Sequence, residues 1–191
     1  LGCSDIMPET NNALIASLKK SGVLRSERVA AALRAVDRAD FVPEELRSVA
    51  YEDEALPIGE GQTISQPYTV VFMLELLGVK EGESVFDVGH GSGWQSALLA
   101  QMVGENGKVC AMEIVPKLCE WGQANVAKYP ALFRRIVFAC GDASRGPALS
   151  SGERIDRIIA AADALEVPEA WRRALRDGGV LVYPSHGVIT K

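Results

Sequence analysis

The chain of 191 residues is poor in the residues that build metal centres and disulfide scaffolds. It has two histidines, His90 and His186, and four cysteines, Cys3, Cys110, Cys119 and Cys140, with no C-x-x-C pair. No cluster of His and Cys has metal-ligand spacing, so no metal site is expected. Cys110 and Cys140 sit in apolar, strand-like runs, where a buried free thiol is the usual state; a reducing, cytoplasmic setting follows as an expectation. No apolar run approaches membrane-spanning length and no secretory leader is visible, so no membrane partner is expected. Lysines and arginines are scattered, without a basic run interleaved with aromatics, and the net charge is −5. That balance speaks against a nucleic-acid partner. Nearly half of the residues, 48%, are hydrophobic, enough for a sizeable core. The length predicts one domain over 1–191, with N-terminal helices and a loop over 1–78 and a sheet over 79–191.

Against that plain background one stretch stands out: Val85-Phe86-Asp87-Val88-Gly89-His90-Gly91-Ser92-Gly93-Trp94. It reads as a short apolar strand, a glycine turn and the start of a helix. Glycines at alternate positions suit a backbone that turns sharply beside a ligand, since glycine tolerates positive φ. The following helix points unpaired N–H groups back at that ligand. Glu113, 20 positions after Gly93, ends the next apolar run, where a carboxylate can accept hydrogen bonds from ribose hydroxyls. A nucleoside-bearing cofactor is therefore expected, against the bland alternative of a plain strand-to-helix turn.

The rest of the second half alternates strands and helices. Strands are predicted at 84–88, 108–113, 135–139, 155–161 and 180–183, with helices between them, from Trp94 to Val103, from Pro116, and from Pro168 to Arg176 ended by Gly178-Gly179. That pattern predicts an α/β fold, a Rossmann-like, doubly wound, mostly parallel sheet with right-handed crossovers. The strand ends carry Gly89, Glu113, Asp142 and the Ala160–Ala162 step, where such sheets bind ligands. The first half reads as a helix over 5–22, a second helix capped by Ser26 with Val29, Leu33 and Val36 on one face, and a third beginning at Pro67 with Val70, Leu74 and Leu77 inward. Residues 37–66 show no clear periodicity, a length of irregular chain that is usually functional when ordered.

The G-x-G-x-G spacing is shorter than the dinucleotide fingerprint and resembles the loop of Rossmann-fold methyltransferases, which bind S-adenosyl-L-methionine. A second and more specific block names a family. Ala50-Tyr51-Glu52-Asp53, then Leu56-Pro57-Ile58-Gly59 and Gly61-Gln62-Thr63-Ile64-Ser65-Gln66-Pro67, with Phe41-Val42-Pro43 upstream, closely resembles protein-L-isoaspartate O-methyltransferases. The resemblance runs from about Ser26 to Pro184. It implies methyl transfer from S-adenosyl-L-methionine to the free α-carboxylate of L-isoaspartyl residues in damaged proteins, whose ester then closes to a succinimide. By the same resemblance Ser65 is the active-site residue, with Thr63 and Ile64 beside it along the cleft. Asp87, Gly89, His90 and Gly91 belong to the cofactor loop, Glu113 to the ribose, and Asp142 and Ala143 to the adenine side. The partners implied are isoaspartyl proteins and peptides; the sequence does not reveal the oligomeric state, and a monomer is the favoured expectation.

An isoaspartyl carboxylate is already ionised at neutral pH, so no general base is required and positioning carries the chemistry. Ser65 is expected to donate one hydrogen bond to it, near a helix N-terminus that favours an anion; the bland alternative for Ser65 is a helix cap. Tyr51, Glu52 and Asp53 have a bland alternative as a solvated loop, and Asp142 as a turn former. The chain departs from the family at His90 and Trp94, larger than the usual residues, at Ala143 in place of glycine, and at Ala160-Ala161-Ala162-Asp163. His90 is expected either at the methionine end of the cofactor or in solvent. The chain stops at Lys191, soon after the fifth strand, whereas the family continues through two more; a truncated chain with an open sheet edge is expected. Competing readings are a small-molecule or RNA methyltransferase, which has no reason to carry the Gly61–Pro67 block, a decayed cofactor-binding scaffold, and a dehydrogenase, which needs the longer glycine spacing.

Overall fold

Helix signals in the first half translate directly into structure. The computed structural model describes residues 10–147, 149–150, 152–162 and 166–191. Thr10 caps α1 (Asn11–Lys20), accepting from the Ala13 N–H, and Leu14, Ile15 and Leu18 form its buried stripe. The part of that helix expected over 5–9, like Cys3 and Asp163, lies outside the described residues. Ser26 caps α2 (Glu27–Ala35), and Val29, Leu33 and Val36 are fully or almost fully buried. Pro67 opens α3 (Pro67–Leu77), which ends in a left-handed Gly78; Val70, Leu74 and Leu77 face inward.

The stretch without periodicity is ordered. It comprises 3-10 turns over Arg38–Phe41 and Glu44–Val49, then a hairpin of β1 (Leu56–Gly59) and β2 (Gln62–Ile64). The hairpin, which the pattern did not predict, pairs Leu56 with Ile64 and turns through Glu60 in the left-handed region.

The second half supplies β3 (Ser84–Val88), α4 (Trp94–Val103), β4 (Lys108–Glu113), α5 (Pro116–Ala127), α6 (Pro130–Phe133), β5 (Ile136–Cys140), β6 (Ile155–Ala160), α7 (Glu169–Ala174), β7 (Leu175–Ser185) and β8 (Val188–Thr190). Their sheet order is β5-β4-β3-β6-β7-β8, parallel from β5 to β7. The chain winds outward from β3 through β4 to β5, then returns to the other side of β3 with β6. The switch point therefore lies between β3 and β6, directly beyond Val88 and Ala160.

Strand alternation sorts the core into two layers. Val85, Val109 and Ile159 join the N-terminal helices and α4, while Phe86, Cys110 and Ile158 pack with Trp171 on the opposite face. Helix α4 is buried on almost every side, which explains its nearly uninterrupted apolar sequence.

Three expectations need correction. The Gly178-Gly179 pair does not separate helix from strand: β7 already begins at Leu175, and the glycines sit where its register against β6 slips, Ile155 pairing with Leu175 but Arg157 with Val180. The sheet does not end at the fifth parallel strand, because β8 folds back antiparallel and pairs Tyr183 with Thr190. Cys140 is not a free thiol; it is bonded to Cys119 of α5, while Cys110 is free and buried.

Candidate functional site

Beyond the C-terminal ends of β3, β4, β5 and β6 lies a cleft of about 460 Å³, within the size range of small-molecule sites. Its far wall is the hairpin. Gln62, Thr63 and Ser65 face Gly89 and Gly91 across it, and Glu113, Asp142 and Ala143 close one end. A smaller recess of about 40 Å³ continues from it between Ile64, Ser65, Gly91 and Trp94.

The three loop glycines all have positive φ, but they serve two purposes. A Cβ on Gly91 would stand 3.3 Å from Ile58 Cδ1, so this glycine lets the loop approach the hairpin across the cleft. Gly93 answers to packing instead. A Cβ there would lie 2.7 Å from the Gly122 carbonyl oxygen, which lets α5 press against the first turn of α4. The loop is anchored by the Gly89 N–H on the Met112 carbonyl at 2.8 Å.

Glu113 is nearly buried and ties loop to strand. One carboxylate oxygen accepts from the Gly91 N–H at 3.0 Å, the other from the Val115 N–H at 2.9 Å. Asp142 is more exposed. It accepts from the Ser144 N–H at 2.9 Å, and the Ser144 side chain and backbone hold its carboxyl below the usual range. Ala143 is fixed from outside the motif, its carbonyl accepting from Trp171 Nε1 at 2.7 Å.

Asp87 does not reach the cleft. It is fully buried on the α4 side of β3, accepting from Gln95 Nε2 at 2.7 Å and Ser96 Oγ at 2.5 Å. Its link to the loop is indirect, through the first turn of α4. His90 departs from the expectation of a solvent-facing ring: it lines the smaller recess that continues from the main cleft. It is 3% exposed, edge-on to Phe138 with centroids 5.2 Å apart, and beside Gly122 of α5. Burial lowers its pKa against the pull of Glu113, so the ring stays neutral. Ile64 is buried and touches only the smaller recess.

Ser65 is half-buried, and its hydroxyl bonds to no other protein group among the described residues. It is not the cap of α3, a position that Gln66 holds. The anion site expected at this helix end is already filled: Asp53 accepts from the Tyr68 N–H at 2.7 Å. Asp53 is thus a structural cap, and Ser65 lines the cleft with its hydroxyl free to donate.

The motifs did not reveal most of the apolar wall. Ile58 of the Leu56–Gly59 block lines the cleft, but so do Met112, Leu118 and Trp171 from outside every motif, the last almost buried behind Ala143. Their spacing is that of ordinary core, so the sequence carried no separate signal for them. Glycine turns with positive φ, a ribose-height carboxylate and small Ala161 and Ala162 walls together fit an adenosyl cofactor.

The match to known proteins extends well beyond the motif. The family model of protein-L-isoaspartate(D-aspartate) O-methyltransferase covers residues 9–188. A protein-L-isoaspartate O-methyltransferase of Methanothrix thermoacetophila is 44% identical over 159 residues, 83% of this chain and 74% of the relative. A solved protein-L-isoaspartate O-methyltransferase superposes with a TM-score of 0.82 at 31% identity, covering 92% of this chain and 55% of that one. A Plasmodium falciparum structure assigned to the same enzyme, in complex with S-adenosyl-L-homocysteine, has a TM-score of 0.82 at 25% identity, with 94% of this chain and 85% of that one covered. Motif, fold and likeness converge, and the chain belongs to the protein-L-isoaspartate(D-aspartate) O-methyltransferase family of S-adenosyl-L-methionine-dependent enzymes.

Proposed function

We propose that Ser65 steers the acceptor while the glycine loop, Glu113 and Asp142 hold the donor, in methylation of the free carboxylate of L-isoaspartyl residues in proteins. One observation carries this reading: Ser65 and Thr63 face Gly89 and Gly91 across a single cleft.

When bound, S-adenosyl-L-methionine supplies an electrophilic methyl group on a sulfonium. Gly89 and Gly91 would let the backbone approach it closely, and Glu113 would accept hydrogen bonds from the ribose hydroxyls. Asp142 and Ala143 flank the adenine end, with Thr63 and Ile64 on the hairpin side. Asp87 contributes by fixing Gln95 and Ser96, and His90 by packing the loop against α5. Ser65 Oγ donates to the acceptor carboxylate, which arrives ionised and needs no base. Ile58, Met112 and Leu118 keep water from the reacting atoms. Holding two reactants in line in this way is worth up to about 7–11 kcal/mol of barrier in favourable cases.

The acidic balance, −5, supports a protein rather than nucleic-acid partner. No helix of the described residues is long and apolar enough to cross a membrane.

The test is labelled methyl transfer to paired peptides that differ only in an aspartyl or isoaspartyl linkage. Base-labile label on the isoaspartyl peptide alone is the expected result. Equal labelling of both peptides, or cofactor binding without transfer, would overturn the assignment.

A further inference from the structure

We propose that Arg38, a residue outside every recognised motif, positions Ser65 by stitching the acidic segment Ala50–Glu54 to the hairpin side of the cleft.

Arg38 is completely buried, although it carries a charge. Its Nη1 donates to the Ala50 carbonyl at 2.6 Å and the Glu52 carbonyl at 3.2 Å. Its Nη2 donates to the Glu54 carbonyl at 2.9 Å and the Ser65 carbonyl at 3.2 Å. The guanidinium also lies over the Trp94 ring, 5.3 Å from its centroid. One planar fork therefore joins three segments: the acidic loop, the residue before the α3 cap, and the first residue of α4.

A buried cation is costly unless its donors are met. Here four main-chain oxygens meet the two terminal nitrogens; Nε is buried without a partner among the described residues, and no carboxylate is hydrogen-bonded to the group. Burial lowers its pKa to about 10, with Asp53 nearby opposing the shift, so it remains charged at neutral pH. Lysine cannot reproduce this geometry, because only a planar group with several fixed donors reaches the loop and Ser65 together. The fork holds Ser65 by its own carbonyl, which leaves the hydroxyl unbonded beside the cleft. Arg38 touches no reacting atom and acts through Ser65; it is a positioning residue.

This inference rests on the acceptor role of Ser65, and the test separates the two. Wild type, Ser65→Ala, Arg38→Met and their double variant are compared for isoaspartyl-peptide turnover, S-adenosyl-L-homocysteine affinity and amide exchange. Arg38→Met is expected to lower kcat at least tenfold and cofactor affinity less than threefold. Adding Ser65→Ala to it should cost less than a further threefold, since both act on one interaction. Exchange at the Ala50 and Glu52 amides should rise while β3 and β4 stay protected. Arg38→Lys covers the case in which the methionine variant does not fold; it keeps the charge, and its kcat is still expected to fall tenfold. Multiplying effects in the double variant, wild-type kcat in Arg38→Lys, or unchanged exchange would overturn the role. If wild type methylates no isoaspartyl peptide, the function assignment falls, and the exchange and affinity readouts still judge Arg38.

Discussion

Asp87 is a motif residue whose carboxylate is buried under α4 rather than in the cleft. Burial pushes its carboxyl up to about 6 against the pull of the Ser96 and Gln95 hydrogen bonds. In the unfolded chain an Asp titrates near 4, about two units lower. Between about pH 4 and 6 the folded state therefore binds the proton more tightly, and stability is lost as pH rises through that window. Asp87→Asn has no such penalty. Urea unfolding should show the variant gaining roughly 1–3 kcal/mol on wild type between about pH 4 and pH 7.5. A difference independent of pH would contradict this account of the site. His90, whose pKa burial lowers, acts in the opposite direction, and comparing the two proteins removes its contribution. At the other side of the loop, Glu113→Ala should weaken S-adenosyl-L-homocysteine binding about ten- to a hundredfold by calorimetry, the worth of a hydrogen bond to a charged group. Unchanged affinity would remove Glu113 from the cofactor site. Residues with a motif behind them were legible at this scale, but their side-chain directions were not. Strand alternation alone sends Asp87 toward α4 with Val85, yet the motif suggested a ligand contact. Arg38 has no motif, and only the folded chain brings 50–54 and 65 to it.

Among the elements, those with a local signal were the readable ones. Capped helices such as α2, and strands set between helices such as β3 and β4, follow from spacing and punctuation. The β1–β2 hairpin did not. Its strands are four and three residues long, one contains Pro57, and its place is decided by Gly91 and Ile58 across the cleft. The Gly59-Glu60-Gly61 run was the available turn signal. The Gly178-Gly179 pair misled for a related reason, because a register slip inside a long strand resembles a break between elements. The Cys119–Cys140 bond was equally hidden, since the partners are 21 residues apart and meet only when α5 packs beside β5. It joins two cleft walls, Leu118 next to Cys119 and Gly141 next to Cys140. A closed loop of that length is worth about 3 kcal/mol. Replacing both cysteines by serine, or adding a dithiol reductant, should lower unfolding free energy in urea by about 2–4 kcal/mol. No change on reduction would show that the bond does not stabilise this fold.

For the whole molecule, the parallel sheet and its switch point could be read because alternating strands and helices leave few topologies. The edges could not, since β8 is three residues long and its pairing depends on a turn at His186–Gly187. The central claim is that one cleft divides its work, with cofactor on the glycine-loop side and acceptor on the hairpin side. Ser65→Ala tests it most directly, with isoaspartyl-peptide turnover and S-adenosyl-L-homocysteine affinity measured on the same preparation. The division predicts a kcat about ten- to a hundredfold lower, the worth of one charge-assisted hydrogen bond, with cofactor affinity almost unchanged. Cofactor affinity falling as far as turnover, or turnover equal to wild type, would contradict it.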